Sequence, residues 1–210
     1  LPALDFLKEV NRGQKVRVGD RVAVIGGGNV ALDSARTALR LGAKEVTIIY
    51  RRTRDEMPAS IEEIEAAIEE KMSILFLAAP VGISKEGEHL RLTCQRMKLG
   101  EPDASGRPRP VPIEGSEFAL AFDSIIAAIG QSTDLSLLPP ETRIKTSKSS
   151  LFLADPITLA TDEPGIFAGG DAVTGPKTAV EAIKHGHEAA ISVDRHLRGV
   201  DLREGRGLPP

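Results

Sequence analysis

The 210-residue chain has no tryptophan, a single tyrosine, Tyr50, and a single cysteine, Cys94, and only 3% of its residues are aromatic. One thiol excludes an intrachain disulfide and a Cys-x-x-Cys redox pair. It equally excludes an iron–sulfur cluster held by this chain alone, since such clusters take about four thiolates. Cys94 sits in the alternating run Leu90–Met97 and reads as a structural thiol. Scarce rings and a formal net charge of −3 argue against nucleic acid as a partner, because such binding uses a basic face or stacking aromatics. No run approaches the ~20 apolar residues that span a bilayer. Leu1–Val10 mixes Asp5, Lys8 and Glu9 into its apolar residues and lacks the layout of a signal peptide. The expectation is a cytoplasmic protein with neither a membrane nor a nucleic-acid partner. No catalytic constellation is read either: His89, His185, His187 and His196 show no metal-ligand spacing, and His185 and His187, two apart on a helix, fall on different faces.

What the chain does contain is an ordinary globular composition, with 41% hydrophobic and 27% charged residues over a length suited to one large domain or two small ones. Leu4, Leu7 and Val10 have helical spacing that ends near Asn11-Arg12-Gly13. Val22–Ile25 is a short β-branched run, as in a buried parallel strand, and leads straight into Gly26-Gly27-Gly28. From Asn29 to Leu41 the pattern is helical, with Gly42 as a stop, and Val46–Tyr50 is a second buried strand. Ser60 and Glu63 have capping-box spacing and predict a helix over 60–71, its glutamates forming a solvated face. Strands are expected at Ile74–Leu77, Leu90–Lys98 and Ser124–Ala128, with Gly100–Gly115 a long loop. A second unit begins after Gly130. Its Leu135–Thr161 stretch is irregular, Gly165–Ala168 reads as a strand entering Gly169-Gly170-Asp171, and Thr178–Leu197 is a long helix. On that helix Ala179, Ala182, Ile183, Gly186, Ala190, Val193 and Leu197 share one stripe.

Gly26-Gly27-Gly28-Asn29-Val30-Ala31, preceded by a strand and followed by a helix and a second strand, is the G-x-G-x-x-A form of the Rossmann dinucleotide fingerprint. Gly26 makes the tight turn, Gly28 lets the backbone approach a pyrophosphate, and Ala31 is small enough for the helix to pack on the strand. The pyrophosphate then meets the free N–H groups at the helix start. Sites for NAD usually carry an acid at the end of the second strand. This chain instead has Tyr50-Arg51-Arg52, with Arg54 close behind, and guanidinium groups suit a 2′-phosphate. NADP(H) is therefore the expected cofactor. NAD(H) remains open, because the same arginines also read as a solvated basic loop. A short-chain dehydrogenase is unsupported, since Tyr50 is followed at the fourth place by Arg54 where a Tyr-x-x-x-Lys pair needs lysine.

Three stretches taken together, Val22–Ser60, Leu99–Glu117 and Ile166–Ala190, resemble the glutamate synthase small (beta) subunit family. They are also similar to the flavin domain of dihydropyrimidine dehydrogenase and to the NADPH-binding subunit of electron-bifurcating transhydrogenases. The resemblance implies an α/β architecture: a Rossmann-like three-layer NAD(P)-binding domain over 1–130, then the C-terminal portion of an FAD-binding domain over 131–210. It implies that Gly26, Gly28, Asn29 and Val30 meet the NADPH pyrophosphate and that Arg51 and Arg52 meet its 2′-phosphate. Ala128-Ile129-Gly130 would be the crossing between domains, near the nicotinamide. Gly170 and Asp171 would contact the ribityl and phosphate region of FAD, and backbone at Thr178 and Ala179 would face the isoalloxazine. The family's earlier glycine-rich motif for the ADP half of FAD, and its cysteine-rich iron–sulfur region, do not occur in this sequence. The resemblance thus implies a C-terminal fragment, or one half of a split protein, completed by a missing FAD-binding half or a partner subunit carrying iron–sulfur clusters. The function implied is an oxidoreductase module passing a hydride from NADPH to FAD; the alternative is a non-catalytic NADP(H)-binding or sensing module lacking its own flavin.

Overall fold

The run Val22–Ile25 lies within β1 (Arg21–Ile25), the strand around which the first half of the chain is organised. The computed structural model describes residues 1–103, 106–130, 133–136, 138–139 and 141–207. Two compact units divide at Gly130. In the first, β1 pairs in parallel with β2 (Glu45–Ile49) and with β7 (Ser124–Ala127), and β2 pairs with β3 (Ser73–Leu75). The resulting four-stranded sheet has the order β3-β2-β1-β7.

Both faces of this sheet are covered, which is why its strands are continuously apolar instead of alternating. Val22, Val24, Ile48 and Ile126 face a helical layer of α1 (Ala3–Asn11), α2 (Asn29–Arg40) and α3 (Ile61–Glu69), packing with Phe6, Leu32, Ala35 and Ile64. The intervening residues Ala23, Ile25, Ile49 and Ile125 turn to the other face and pack with Ala78, Leu92, Cys94 and Phe122. Those partners come from an antiparallel sheet of β4 (Ala78–Glu86), β5 (His89–Pro102) and β6 (Pro108–Phe122), in that order. Helices, parallel sheet and antiparallel sheet make three layers, the α/β architecture expected. Ser60 caps α3 as its spacing predicts, its Oγ accepting the Glu63 N–H at 3.3 Å.

Two expectations need correction. Gly100–Gly115 is not a long loop: β5 and β6 continue through it, with Met97 opposite Pro112, Leu99 opposite Pro110 and Pro102 opposite Pro108. Ala104 and Ser105 of that stretch lie outside the described residues. The prolines suggested a loop, yet Pro108, Pro110 and Pro112 alternate along β6, so their missing donors share one side. An edge strand tolerates that pattern. In the second unit, Gly165–Ala168 forms no strand among the described residues; a single antiparallel bridge joins Phe167 to Ala160.

The second unit carries the short α4 (Asp171–Thr174) and the 20-residue α5 (Ala179–Arg198). α5 turns polar atoms inward: Arg206 donates to Ser192 Oγ at 2.6 Å, to the Ile157 carbonyl at 2.8 Å and to Glu188 Oε2 at 2.6 Å. The apolar stripe read from the sequence lies on its exposed side, with Ile183 and Leu197 61% and 79% exposed. Among the described residues no helix is long and apolar enough to cross a membrane.

Candidate dinucleotide-binding site

β1 ends at the carboxyl edge of the parallel sheet, where open α/β sheets place their ligands. Gly26 follows with φ +141° and donates its N–H to the Ile49 carbonyl at 3.0 Å. A Cβ at this position would stand 2.3 Å from the Ala128 carbonyl oxygen, so the chain leaving β7 passes directly against the turn and only glycine fits. Gly27 is required for a different reason: its Cβ would enter the Tyr50 ring, 2.5 Å from Cδ2. Tyr50 is fixed there by its hydroxyl, which donates to the Glu56 carbonyl at 2.6 Å.

Gly28 is the N-cap of α2, and it differs from its neighbours. Its φ is −95°, no side chain caps the helix, and the first turn carries no acid. A Cβ there would meet only Pro58 Cγ, at 3.7 Å. The first turn of a helix carries N–H groups without intrahelical partners and a partial positive charge. An uncapped, acid-free start beside open space therefore fits an anion such as a pyrophosphate. Asn29 and Val30 are exposed on this first turn, whereas Ala31 is fully buried against the sheet. Asn29 Oδ1 accepts the Ser60 N–H at 3.2 Å, which sets its amide orientation and leaves the two Nδ2 donors for a ligand. The Ala59 N–H donates to the Gly27 carbonyl at 3.2 Å, so the segment before α3 is stapled to the glycine turn.

The arginines at the end of β2 part company. Arg51 is exposed. Arg52 has a side chain only 5% exposed, donating Nε to the Pro108 carbonyl at 2.8 Å and pairing Nη2 with Asp103 Oδ2 at 2.8 Å. The two lie in a bend just past β2, where one is left outward and the other is held inward. Arg52 is thus engaged by the β5–β6 hairpin, and Arg51 is exposed. Arg54 is paired with Glu65 at 3.5 Å on the surface. Glu56 accepts from Thr53 Oγ1 at 2.5 Å and from its N–H at 3.0 Å; the hydroxyl's bond, foremost, holds its carboxyl below the ordinary range.

Ala128 donates its N–H to the Ile25 carbonyl at 2.8 Å, Ile129 is exposed, and Gly130 has φ +101°. Gly26, Gly28, Asn29 and Ala128 are thus gathered at one sheet edge, with Arg51 at the end of the neighbouring strand. Cys94 takes no part: it is fully buried in the opposite layer, and burial pushes its thiol up against the opposing charge of Arg96.

In the second unit Gly170 has φ +62° and donates its N–H to His185 Nδ1 at 2.9 Å. Gly169 lets α5 approach, since its Cβ would stand 2.8 Å from that of His185. Asp171 Oδ1 accepts the Lys177 N–H at 3.2 Å. Thr178 caps α5 in a reciprocal box with Glu181: its N–H and hydroxyl donate to Glu181 Oε2 at 3.1 and 2.9 Å, and its oxygen accepts the Glu181 N–H at 3.2 Å. The Thr178 N–H is thus taken by its own box, and Ala179 is the first helical residue behind it. His185, set aside in the sequence for want of ligand spacing, has its partner 15 residues away, a distance that no local pattern reports.

Residues 3–186 match a family described as pyridine nucleotide-disulphide oxidoreductase. The chain is 49% identical over 200 residues to the NADP(+)-dependent formate dehydrogenase subunit beta of Moorella thermoacetica, covering 94% of this chain and 28% of that protein. It is 36% identical over 195 residues to the glutamate synthase [NADPH] small chain of Azospirillum brasilense, covering 92% of this chain and 40% of the relative. The chain thus spans 28–40% of the length of these relatives. Among solved structures, Mycobacterium tuberculosis FprA in complex with NADPH superposes with a TM-score of 0.72 at 19% identity, over 95% of this chain and 58% of that one. The resemblance to glutamate synthase small subunits read from the sequence is upheld, and the match across most of its length shows that the chain belongs to the pyridine nucleotide-disulphide oxidoreductase family, a family of enzymes.

Proposed function

We propose that this chain is the NADPH-binding module of a flavoprotein oxidoreductase in which a hydride passes from NADPH to FAD. The observation that carries this reading is the glycine turn: an uncapped helix start, open to an anion, at the carboxyl edge of a parallel sheet and one strand away from an exposed arginine. Backbone N–H groups of Gly28, Asn29 and Val30 bind the pyrophosphate, helped by Asn29 Nδ2, while Gly26 and Gly27 shape the turn and Ala31 seats the helix. Arg51 recognises the 2′-phosphate. Ala128-Ile129-Gly130 borders the nicotinamide half and leads from an NADPH-binding domain (1–130) into the C-terminal part of an FAD-binding domain (131–210). There Gly170 and Asp171 approach the flavin's ribityl and phosphate groups, and Ala179 offers the helix-start N–H.

A reduced nicotinamide supplies the hydride and a flavin accepts it. This chain's residues contribute binding and orientation, which such chemistry needs more than an acid or a base. The relatives' names describe subunits, and the exposed apolar side of α5 supports further protein against it, either a missing FAD-binding half or a partner subunit carrying iron–sulfur clusters.

Arg51→Ala tests the reading. Loss of an arginine–phosphate contact is worth roughly 1.5–3 kcal/mol, so NADPH affinity falls about ten- to a hundredfold while NADH changes less than about twofold. Equal loss for both dinucleotides in an equilibrium titration overturns the assignment.

A further inference from the structure

Arg52 is the arginine of the pair that the fold has already engaged. It stands one residue beyond Arg51 at the corner to which the 2′-phosphate is assigned, yet its side chain is buried and reaches across to a hairpin 51 residues further along the chain. Two contacts hold it there, the Asp103 carboxylate and the Pro108 carbonyl, each at 2.8 Å. Across the two arms of the hairpin the Asp103 N–H donates to the Arg107 carbonyl at 2.8 Å. A carboxylate and a phosphate dianion are rival acceptors for one guanidinium fork, and each repels the other.

We propose that Asp103 is a specificity-determining residue of the cofactor site: by holding Arg52 on the β5–β6 hairpin, it sets how strongly the site prefers a 2′-phosphate. A 2′-phosphate held at Arg51 competes with Asp103 for Arg52, whereas a dinucleotide without it leaves the pair intact. The preference of the wild-type chain is therefore weaker than two free arginines would give. The backbone bond to Pro108 keeps Arg52 anchored when the carboxylate is neutralised, and an asparagine at 103 still accepts a hydrogen bond. The ionic hold can thus be removed while the hairpin stays in place. The inference rests on the assignment of the 2′-phosphate to the Arg51 corner.

The experiment measures NADPH and NADH dissociation constants for the full chain as wild type, Asp103→Asn and the double variant Arg52→Gln/Asp103→Asn. Asp103→Asn is expected to tighten NADPH roughly three- to tenfold and to leave NADH within about twofold, and the double variant to lose that gain. An unchanged NADPH-to-NADH ratio in Asp103→Asn overturns the proposal. So does an equal gain in the double variant, because Asp103 would then act by charge alone and not through Arg52. Hydrogen exchange on the wild-type chain gives a readout that needs no variant to fold. Amides of the β5–β6 end are expected to exchange faster with saturating NADPH than with saturating NADH, and equal exchange overturns the proposal. Arg51→Ala separates the layers: selective NADPH loss there with a silent Asp103→Asn rejects only the role of Asp103, and equal loss of both dinucleotides rejects the underlying assignment.

Discussion

Gly26 and Gly28 lie two residues apart in one turn, yet replacing each with alanine should damage different properties. At Gly26 the backbone sits at φ +141°, and the added Cβ would stand 2.3 Å from the Ala128 oxygen and 3.0 Å from its carbonyl carbon. That backbone has little room to retreat, because the Ala128 N–H is bonded to Ile25 at 2.8 Å and the Ala127 N–H to Leu1 at 2.8 Å. Unfavourable backbone conformation costs about 1–3 kcal/mol and overpacking a similar amount, so Gly26→Ala is expected to lose about 3–5 kcal/mol. Set against a typical stability of roughly 5–15 kcal/mol, that is a large fraction. Gly28 has an ordinary φ of −95° and only Pro58 Cγ nearby, at 3.7 Å. Alanine is a poorer N-cap than glycine but restricts the unfolded chain, and the two effects offset each other to within about 1 kcal/mol. Its methyl group would, however, stand in the space proposed for the pyrophosphate. Urea unfolding followed by circular dichroism, paired with NADPH titration, reads both properties. Gly26→Ala should lower the urea midpoint sharply; Gly28→Ala should keep the midpoint and weaken NADPH at least about tenfold, the loss of a close backbone approach to phosphate. A Gly28→Ala chain that unfolds as early as Gly26→Ala, or that binds NADPH like the wild type, refutes the reasoning.

Asp123 accepts the Asp20 and Arg21 N–H groups at 2.9 and 2.8 Å and meets His89 Nδ1 at 2.7 Å, and these bonds, the Arg21 N–H foremost, hold its carboxyl below the ordinary range. A depressed folded pKa contributes stability that is present above the unfolded value of about 3.9 and is lost as pH falls through the folded one. Asp123→Ala should therefore cost about 2 kcal/mol near neutral pH and progressively less in acid, as urea titrations from about pH 7 to pH 3 would show. Cys94, fully buried and with its thiol raised, should react with a thiol reagent only as fast as the native chain opens, and quickly in urea. Rapid modification of the native chain would contradict its placement between the sheets.

The unit from Val22 to Tyr50 was legible in the sequence because its signals are local. A both-faces-buried strand, a glycine turn and a small-residue helix follow one another within a few residues. The reason for Gly27 was not legible, since it lies in the ring of Tyr50, 23 positions on, and depends on the register of β2 against β1. β4 has no comparable local signal, and the prolines of β5–β6 point to a loop, because strand prolines resemble turn prolines until the edge they occupy is known. The two arginines look equivalent in sequence, and Asp103 and the Pro108 carbonyl on a distant hairpin distinguish the buried one from the exposed one. On α5 the apolar stripe is legible in the sequence, but the hold of Arg206 on Ser192 and Glu188 on the opposite side, which leaves the stripe outward, is not. Periodicity finds a helix's apolar face without saying what covers it.

Amide chemical shifts of the isotope-labelled full chain, followed as NADPH is added, test the central claim most directly. The largest movements are expected at Gly27, Gly28, Asn29, Val30 and Ala31, with Arg51 and Ala128–Gly130 following, and with the Arg51 response much reduced when NADH replaces NADPH. Saturable shifts confined to residues 131–207, or spread evenly without a maximum at the glycine turn, would contradict the placement of the dinucleotide on the start of α2.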